Sequence, residues 1–139
     1  MDEKLSNILN ELKSVRMQLP VAQYLPDDQA IEEYEALVGV AFPSDYREFL
    51  KSASDSLYNG KAALRITETR DHSRELLNGI REARANGVPV DWLPFCEDNG
   101  NYFCILPDGT IRFWDHDGSS SESWPNLATW IKDVWIEGN

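Results

Sequence analysis

The sequence predicts an α+β fold, a twisted and mainly antiparallel sheet with a central three-stranded meander and helices packed against it. Three observations carry this. In the stretch DWLPFCEDNGNYFCILPDGTIRFWDHD, Asp91 to Asp117, the turn dipeptides Asn99-Gly100 and Asp108-Gly109 separate three short runs rich in aromatic and β-branched residues. Ahead of it, apolar residues recur at helical spacing in four segments, and a fifth such segment closes the chain. The 139 residues contain no internal repeat or low-complexity tract, so one domain over residues 1–139 is expected, large enough to bury a core without disulfide or metal staples.

The elements follow in order. Leu5, Ile8, Leu9, Leu12, Val15 and Leu19 mark an amphipathic N-terminal helix within residues 1–19, running from about Asp2 to Gln18 and ended by Pro20. Asp27 or Asp28 caps a second helix, because a carboxylate there accepts from amides that the first turn leaves free. Its Ile31, Tyr34, Leu37 and Val38 share the apolar face, Glu32, Glu33 and Glu35 line the solvent side, and Gly39 stands at the stop. A short third helix enters at Pro43, with Ser44 or Asp45 as acceptors, and buries Tyr46, Phe49 and Leu50. Ser52 to Gly60 reads as a polar loop and Ala62 to Thr67 as a strand. A fourth helix, from about Asp71 to Asn86, turns Leu76, Leu77, Ile80 and Ala83 inward and Arg70, Arg74, Arg81 and Arg84 outward as a locally basic face. His72 belongs to its cap, and Gly87 and Pro89 stop it. After the meander, GSSSES is a loop, and Pro125 or Asn126 opens a terminal helix that buries Leu127, Trp130, Ile131, Val134 and Trp135.

With Asn99-Gly100 and Asp108-Gly109 as centres of two-residue loops, antiparallel partners sit symmetrically about each turn and Cys104 faces both Phe95 and Phe113. Alternation then places Leu93, Phe95, Cys104, Leu106, Ile111 and Phe113 on the core face, and Cys96, Phe103, Ile105, Arg112 and Trp114 on the other. The second face mixes aromatics with a guanidinium, so it is either roofed by another element or left for something to dock on. A one-residue slip would exchange the two faces. Of the five tryptophans, Trp92, Trp124, Trp130 and Trp135 read as core, while Trp114 is core or surface.

Composition narrows the function. Net charge is −11, with 24 acidic against 13 basic residues, which argues against nucleic acid as a partner and permits basic ones. Cys96 and Cys104 flank the first hairpin on opposite faces, poor geometry for a disulfide, and read as buried, inert thiols of a reducing cytoplasm. No apolar run approaches the roughly 20 residues of a membrane span, and the polar N-terminus MDEKLSNILNELK is unlike a signal peptide.

Glu97, Asp98, Asp115, His116 and Asp117 converge at one end of the meander under this pairing. Carboxylates and an imidazole suit a divalent ion, but the spacing matches no defined motif, and an acidic rim at strand ends is the simpler reading; no metal and no cofactor is expected. Nothing near either cysteine lowers a thiol pKa, and no glycine-rich phosphate loop is present, so no catalytic residue is assigned.

The segment IEEYEALVGVAFPSDYREFL, Ile31 to Leu50, resembles the opening motif of the SUKH superfamily, an acidic helix ending in Leu-Gly before a Leu-Pro-x-Asp-Tyr-x-x-Phe-Leu helix. Here Val38 is inserted before Gly39, and Phe42 replaces the leucine before Pro43. WLPFCEDNGNYFCI, Trp92 to Ile105, resembles the family's strand, acidic turn and next strand; IRFWDHD, Ile111 to Asp117, resembles the strand after it. The likeness spans about Asp27 to Trp135; one departure is the Ser52 to Gly60 loop, which keeps only Asn59-Gly60 of a commoner Asn-Gly-Gly. The superfamily includes the yeast cell-wall synthesis regulators of the Smi and Knr type and bacterial immunity proteins that neutralise polymorphic toxins. The resemblance implies an immunity-type role in which the domain captures a cognate toxin domain, a basic nuclease being one case. On that reading the protein is a non-catalytic binder of the bacterial cytoplasm, and the meander's own carboxylates and aromatics supply the partner-binding candidates: Glu97, Asp98, Tyr102, Arg112, Trp114, Asp115, His116 and Asp117. The alternatives are a regulatory scaffold like the yeast relatives, and a small-ligand or metal-binding enzyme using the acidic end of the meander.

Overall fold

The computed structural model describes residues 3–15, 24–54, 57–58, 61–69, 74–98, 100–117 and 122–137. Helices α1 (Glu3–Val15), α2 (Asp28–Val38) and α3 (Ser44–Ala53) come first. A small hairpin, β1 (Leu57–Tyr58) and β2 (Lys61–Ala62), leads to α4 (Leu76–Ala85). The main sheet is antiparallel throughout, in the order β3 (Leu93–Asp98), β4 (Asn101–Ile105), β5 (Ile111–Trp114), β6 (Ser123–Trp124). A terminal helix α5 (Leu127–Trp130) continues as a π-helical turn, Ile131–Ile136, whose Glu137 amide donates to the Lys132 carbonyl five residues back. The fold is α+β, as the periodicities predict, and among the described residues no helix is long and apolar enough to cross a membrane.

The start and stop signals hold where caps are formed. Asp27 accepts the Ala30 amide at 2.9 Å, Gly39 closes α2 at φ 82°, and Asn126 accepts the Thr129 amide at 2.8 Å. Other boundaries move. The N-cap of α3 is Pro43, which offers no side-chain acceptor. Helix α4 begins at Leu76 with Glu75 as its cap, and His72 lies outside the described residues, as do Leu19 and Pro20. The polar loop from Ser52 holds the end of α3 and then β1, while 55–56 and 59–60 lie outside. The Ala62 to Thr67 strand is only Lys61–Ala62 followed by single bridges, Ala63 to Cys96 and Arg65 to Glu75. The loop after the meander contributes β6, with 118–121 outside. Glu35 is not on the solvent side: it accepts the Phe42 amide at 2.7 Å and the Arg47 guanidinium at 2.5 Å, fastening α2 to α3.

The meander forms, with a register that its second turn shifts. Around Asn99-Gly100 the symmetric pairing holds for Asp98 with Asn101, Glu97 with Tyr102 and Cys96 with Phe103, until a bulge between Pro94 and Cys96 sets Pro94 opposite Cys104. The second connection is a three-residue loop. Pro107 takes the first corner of a turn closed by the Gly109 amide on the Leu106 carbonyl at 2.8 Å, Gly109 adopts φ 87°, and the Leu106 amide returns to the Thr110 carbonyl at 2.9 Å. Partners on β4 and β5 therefore pair as Phe103 with Phe113 and Cys104 with Arg112. Phe103 and Ile105 join the core face and Cys104 leaves it, the reverse of the expected placement on β4, whereas Ile111 and Phe113 on β5 keep theirs. Leu106 is only half-buried, beside its loop.

The core face carries Leu93, Phe95, Phe103 and Ile111 in one cluster with α3 and the terminal helix, on which α1 packs in turn. Trp130 is its hub, edge-on to Phe95 at 4.8 Å and Phe103 at 5.1 Å and 5.6 Å from Trp135, which in turn meets Phe49 at 5.9 Å. Truncating either tryptophan to alanine is expected to cost about 3–5 kcal/mol. Trp92 and Trp124, expected in the core, are half-buried. Gly79 lets α4 press on Leu64, since a Cβ there would lie 2.6 Å from Leu64 Cδ1.

Burial, helped by the nearby Glu75 charge, holds the Tyr46 hydroxyl well above its ordinary 10.0, and burial alone holds the Cys104 thiol well above 9.0. The folded protein therefore keeps protons that the unfolded chain releases. Stability from these groups is complete below about pH 9 and falls as pH rises past about 10. Tyr46→Phe should flatten this alkaline decline, read as urea midpoints near neutrality and at high pH. Because Tyr46 Oη has no hydrogen-bond partner among the described residues, the same variant should be neutral or stabilising by about 1 kcal/mol at pH 7.

Candidate functional site

The second face of the sheet is half roofed. The end of α4 and the chain after it lay Ala83 and Val88 over Tyr102 and Cys104, while Trp92 and Trp114 pack at the edge of this second cluster and stay half-buried. The register sets Tyr102 beside Trp114, rings 6.0 Å apart, and Cys104 beside Arg112. Arg112 holds its guanidinium carbon 5.6 Å from the centre of the Trp92 ring. The result is a strip, Trp92, Arg112 and Trp114, open along one side. A Cβ on Gly87 would lie 3.7 Å from Trp114, so the chain after α4 ends against that indole.

The strip runs into the end of the meander. There Glu97 accepts the Gly100 amide at 2.8 Å with one carboxylate oxygen and faces the Arg74 guanidinium at 3.6 Å with the other. Asn101 Oδ1 accepts the His116 amide at 3.1 Å and lies 2.5 Å from His116 Nδ1. An oxygen already accepting one N–H is an acceptor for the ring too, so Nδ1 carries a proton. His116 Nε2 lies 3.3 Å from Asp117 Oδ1, and Asp115 closes an Asx turn by accepting the Asp117 amide at 2.8 Å. Ligand atoms of Asp115, His116 and Asp117 all lie within 4.8 Å of one another, so among the described residues these three could offer themselves to a cation. Asp115 is half-buried; His116 and Asp117 are exposed.

The structure thus brings Glu97, Asp98, Asp115, His116 and Asp117 to one end of the sheet and sets Trp114 and Arg112 behind them on one face. Tyr102 belongs elsewhere: it is 3% exposed, and burial pushes its hydroxyl up from 10.0, so it supports Trp114 from beneath rather than meeting a partner. Sequence reasoning missed three contributors. Asn101 orients His116, and its place directly after the Asn99-Gly100 turn was a readable signal. Trp92 shields one side of Arg112. Glu75, 1% exposed, accepts from Tyr34 Oη at 2.6 Å, Thr67 Oγ1 at 2.7 Å, the Thr67 amide at 3.3 Å and the Leu77 amide at 2.6 Å. It fixes the start of α4, the element that roofs the second face.

An antiparallel sheet packed by helices on one face and half open on the other, with aromatics and a guanidinium leading to a carboxylate-rich end, defines an α+β domain built around a surface. Comparison with known proteins is more specific. The chain belongs to the SUKH superfamily, in its SMI1-KNR4 family: the SUKH_5 family model, described as SMI1-KNR4 cell-wall, matches residues 5–136. A protein from Pseudomonas syringae pv. tomato, known from its crystal structure, is similar at 29% identity over 95% of this chain and 98% of that one, with a TM-score of 0.88. No curated protein matches the chain.

Asn101→Ala should release both hydrogen bonds on His116 while leaving the core intact. Amide exchange at His116 should rise by about tenfold, the equivalent of about 1.4 kcal/mol, with the exchange of Phe103 and Ile105 unchanged. Neither Cys96 nor Cys104, both buried, should react with a maleimide in the folded protein, and both should react in denaturant.

Proposed function

We propose that this is a non-catalytic protein-binding domain of the bacterial cytoplasm, an immunity protein that holds a cognate toxin domain through the half-open sheet face and the acidic end of the meander. The observation that carries the reading is the strip Trp92, Arg112 and Trp114, half-buried, with the last two on β5 and running directly into Asp115, His116 and Asp117. Trp and Arg are the residues that dominate binding energy when a partner desolvates them, and both are already held in place by neighbours. The carboxylates suit a different task. With a net charge of −11 they favour encounter with a basic partner, and a nuclease, which must be basic where it grips its substrate, fits that requirement. Membership of the SMI1-KNR4 family supports a domain of this kind.

The test is co-expression with a toxin domain, should a neighbouring gene encode one, followed by kinetics on the purified pair. Asp115→Asn with Asp117→Asn should slow association and reduce its salt dependence, with dissociation little changed. Trp114→Ala should speed dissociation and cost on the order of 2 kcal/mol. Wild type that fails to rescue growth would remove the immunity reading for that pair; rescue untouched by all three substitutions would move the interface off this face.

A further inference from the structure

The open strip carries charge of both signs, and β5 fixes their order. Arg112 and Trp114 stand on the second face of the sheet, and the carboxylates begin at Asp115, where the strand ends. At a rise of about 3.3 Å per residue, the Arg112 position lies roughly 10 Å from that acidic end. The cross-strand neighbours of Arg112 are Cys104 on β4 and Ser123 on β6, and its guanidinium carbon lies 5.6 Å from the centre of the Trp92 ring. None of these three residues brings a negative charge, since burial keeps the Cys104 thiol protonated. Trp92 is itself held by a turn, its amide donating to the Pro89 carbonyl at 3.1 Å. A single cation therefore sits between two half-buried indoles, set back from a group of acids.

We infer that Arg112 is the seat for a carboxylate of the protein partner, one that the partner carries among its own basic residues. The inference rests on the protein-binding reading above and adds the chemistry of the group that is held. A partner that covers Trp92 and Trp114 must also cover the guanidinium between them, and a cation taken out of water needs acceptor oxygens close by. A guanidinium has five N–H donors in a planar fork, so one or two contacts within the chain do not exhaust it, and the fork matches the two oxygens of a carboxylate. Stacking on Trp92 holds the plane of that fork, which lowers the entropy lost on docking. The acids at the strand end select the surroundings. They repel an acidic surface and attract a basic one, so the complementary partner is basic with a carboxylate roughly 10 Å from the cations that meet Asp115 and Asp117. A nucleic-acid backbone could offer Arg112 a phosphate, but its next phosphates would lie against those same acids.

The test titrates the full, isotope-labelled chain at low salt with two short lysine-rich peptides, one with a single central aspartate and the other with asparagine in its place. Both should shift the amide signals of His116 and Asp117, because lysines meet the acidic end. The aspartate peptide should bind at least about threefold tighter, and it alone should move the indole N–H signals of Trp92 and Trp114. Arg112→Gln should remove that preference while the amide shifts persist. Arg112→Lys, which keeps the charge and loses the fork, should retain only part of the preference, and it carries the comparison should the glutamine variant fold poorly. Equal binding of the two peptides or none, a preference that survives Arg112→Gln, or inorganic phosphate that moves the two indoles as far as the aspartate peptide does would each overturn the inference. The His116 and Asp117 amides report separately on the acidic end, so failure at Arg112 with those shifts intact would leave the protein-binding reading standing.

Discussion

The arrangement depends on a carboxylate that is almost wholly buried. Glu75 gathers a phenol from α2, a hydroxyl and an amide from Thr67, and the second amide of α4, so three separate stretches of chain meet on two oxygen atoms. Each of those donors would cost about 1–3 kcal/mol if buried without a partner, and the carboxylate far more. The group therefore binds its neighbours in an all-or-none way. Its position at the N-terminus of α4 adds the favourable field of the helix dipole. The flanking bonds, Arg65 amide to Arg74 carbonyl and Leu76 amide to Arg65 carbonyl, pin the same junction from the backbone side.

What that junction fixes is the shape of the functional face. Once α4 starts at Leu76 and presses on Leu64 at Gly79, its far end can reach only as far as Ala83, Val88 and the chain up to Trp92. Tyr102 and Cys104 fall beneath this cover, and Arg112 and Trp114 fall at its margin. The half-open strip is thus the outcome of where a buried acid sits more than 10 residues away in sequence from any residue of the strip, and the link between the two runs through helix packing.

Much of this was legible in the sequence, for definite reasons. Asp27, Gly39 and Asn126 are local signals that act within one helical turn, and the structure uses all three as read. The aromatic core of Trp130 and Trp135 was readable from spacing alone. The register between β4 and β5 is where the sequence misleads: Asp108-Gly109 reads as a whole two-residue turn, whereas Pro107 before it makes the first corner and lengthens the loop to three residues. The convergence of Glu97, Asp98, Asp115, His116 and Asp117 survived that error, because it depends on which strand ends meet, not on which face a side chain takes. Glu75 and Trp92 were invisible for the opposite reason. Their roles are set by residues far along the chain, Tyr34 and Thr67 for one and Arg112 for the other, and no local pattern announces a partner at that distance.

The three-residue loop of Pro107, Asp108 and Gly109 has a further implication, for how sequences of this type can drift. Alternation makes a strand a two-valued object, so what the loop conveys from β4 to β5 is parity, odd or even. Removing a single residue there would send Cys104 inward and Phe103 outward while every side chain stayed the same. Length changes in this loop should therefore be inherited in pairs, or else be accompanied by a compensating bulge like the one at Phe95, whose extra residue already switches the parity of β3. Beyond the positive φ that favours glycine at 109, the composition of the loop is less constrained than its count modulo two.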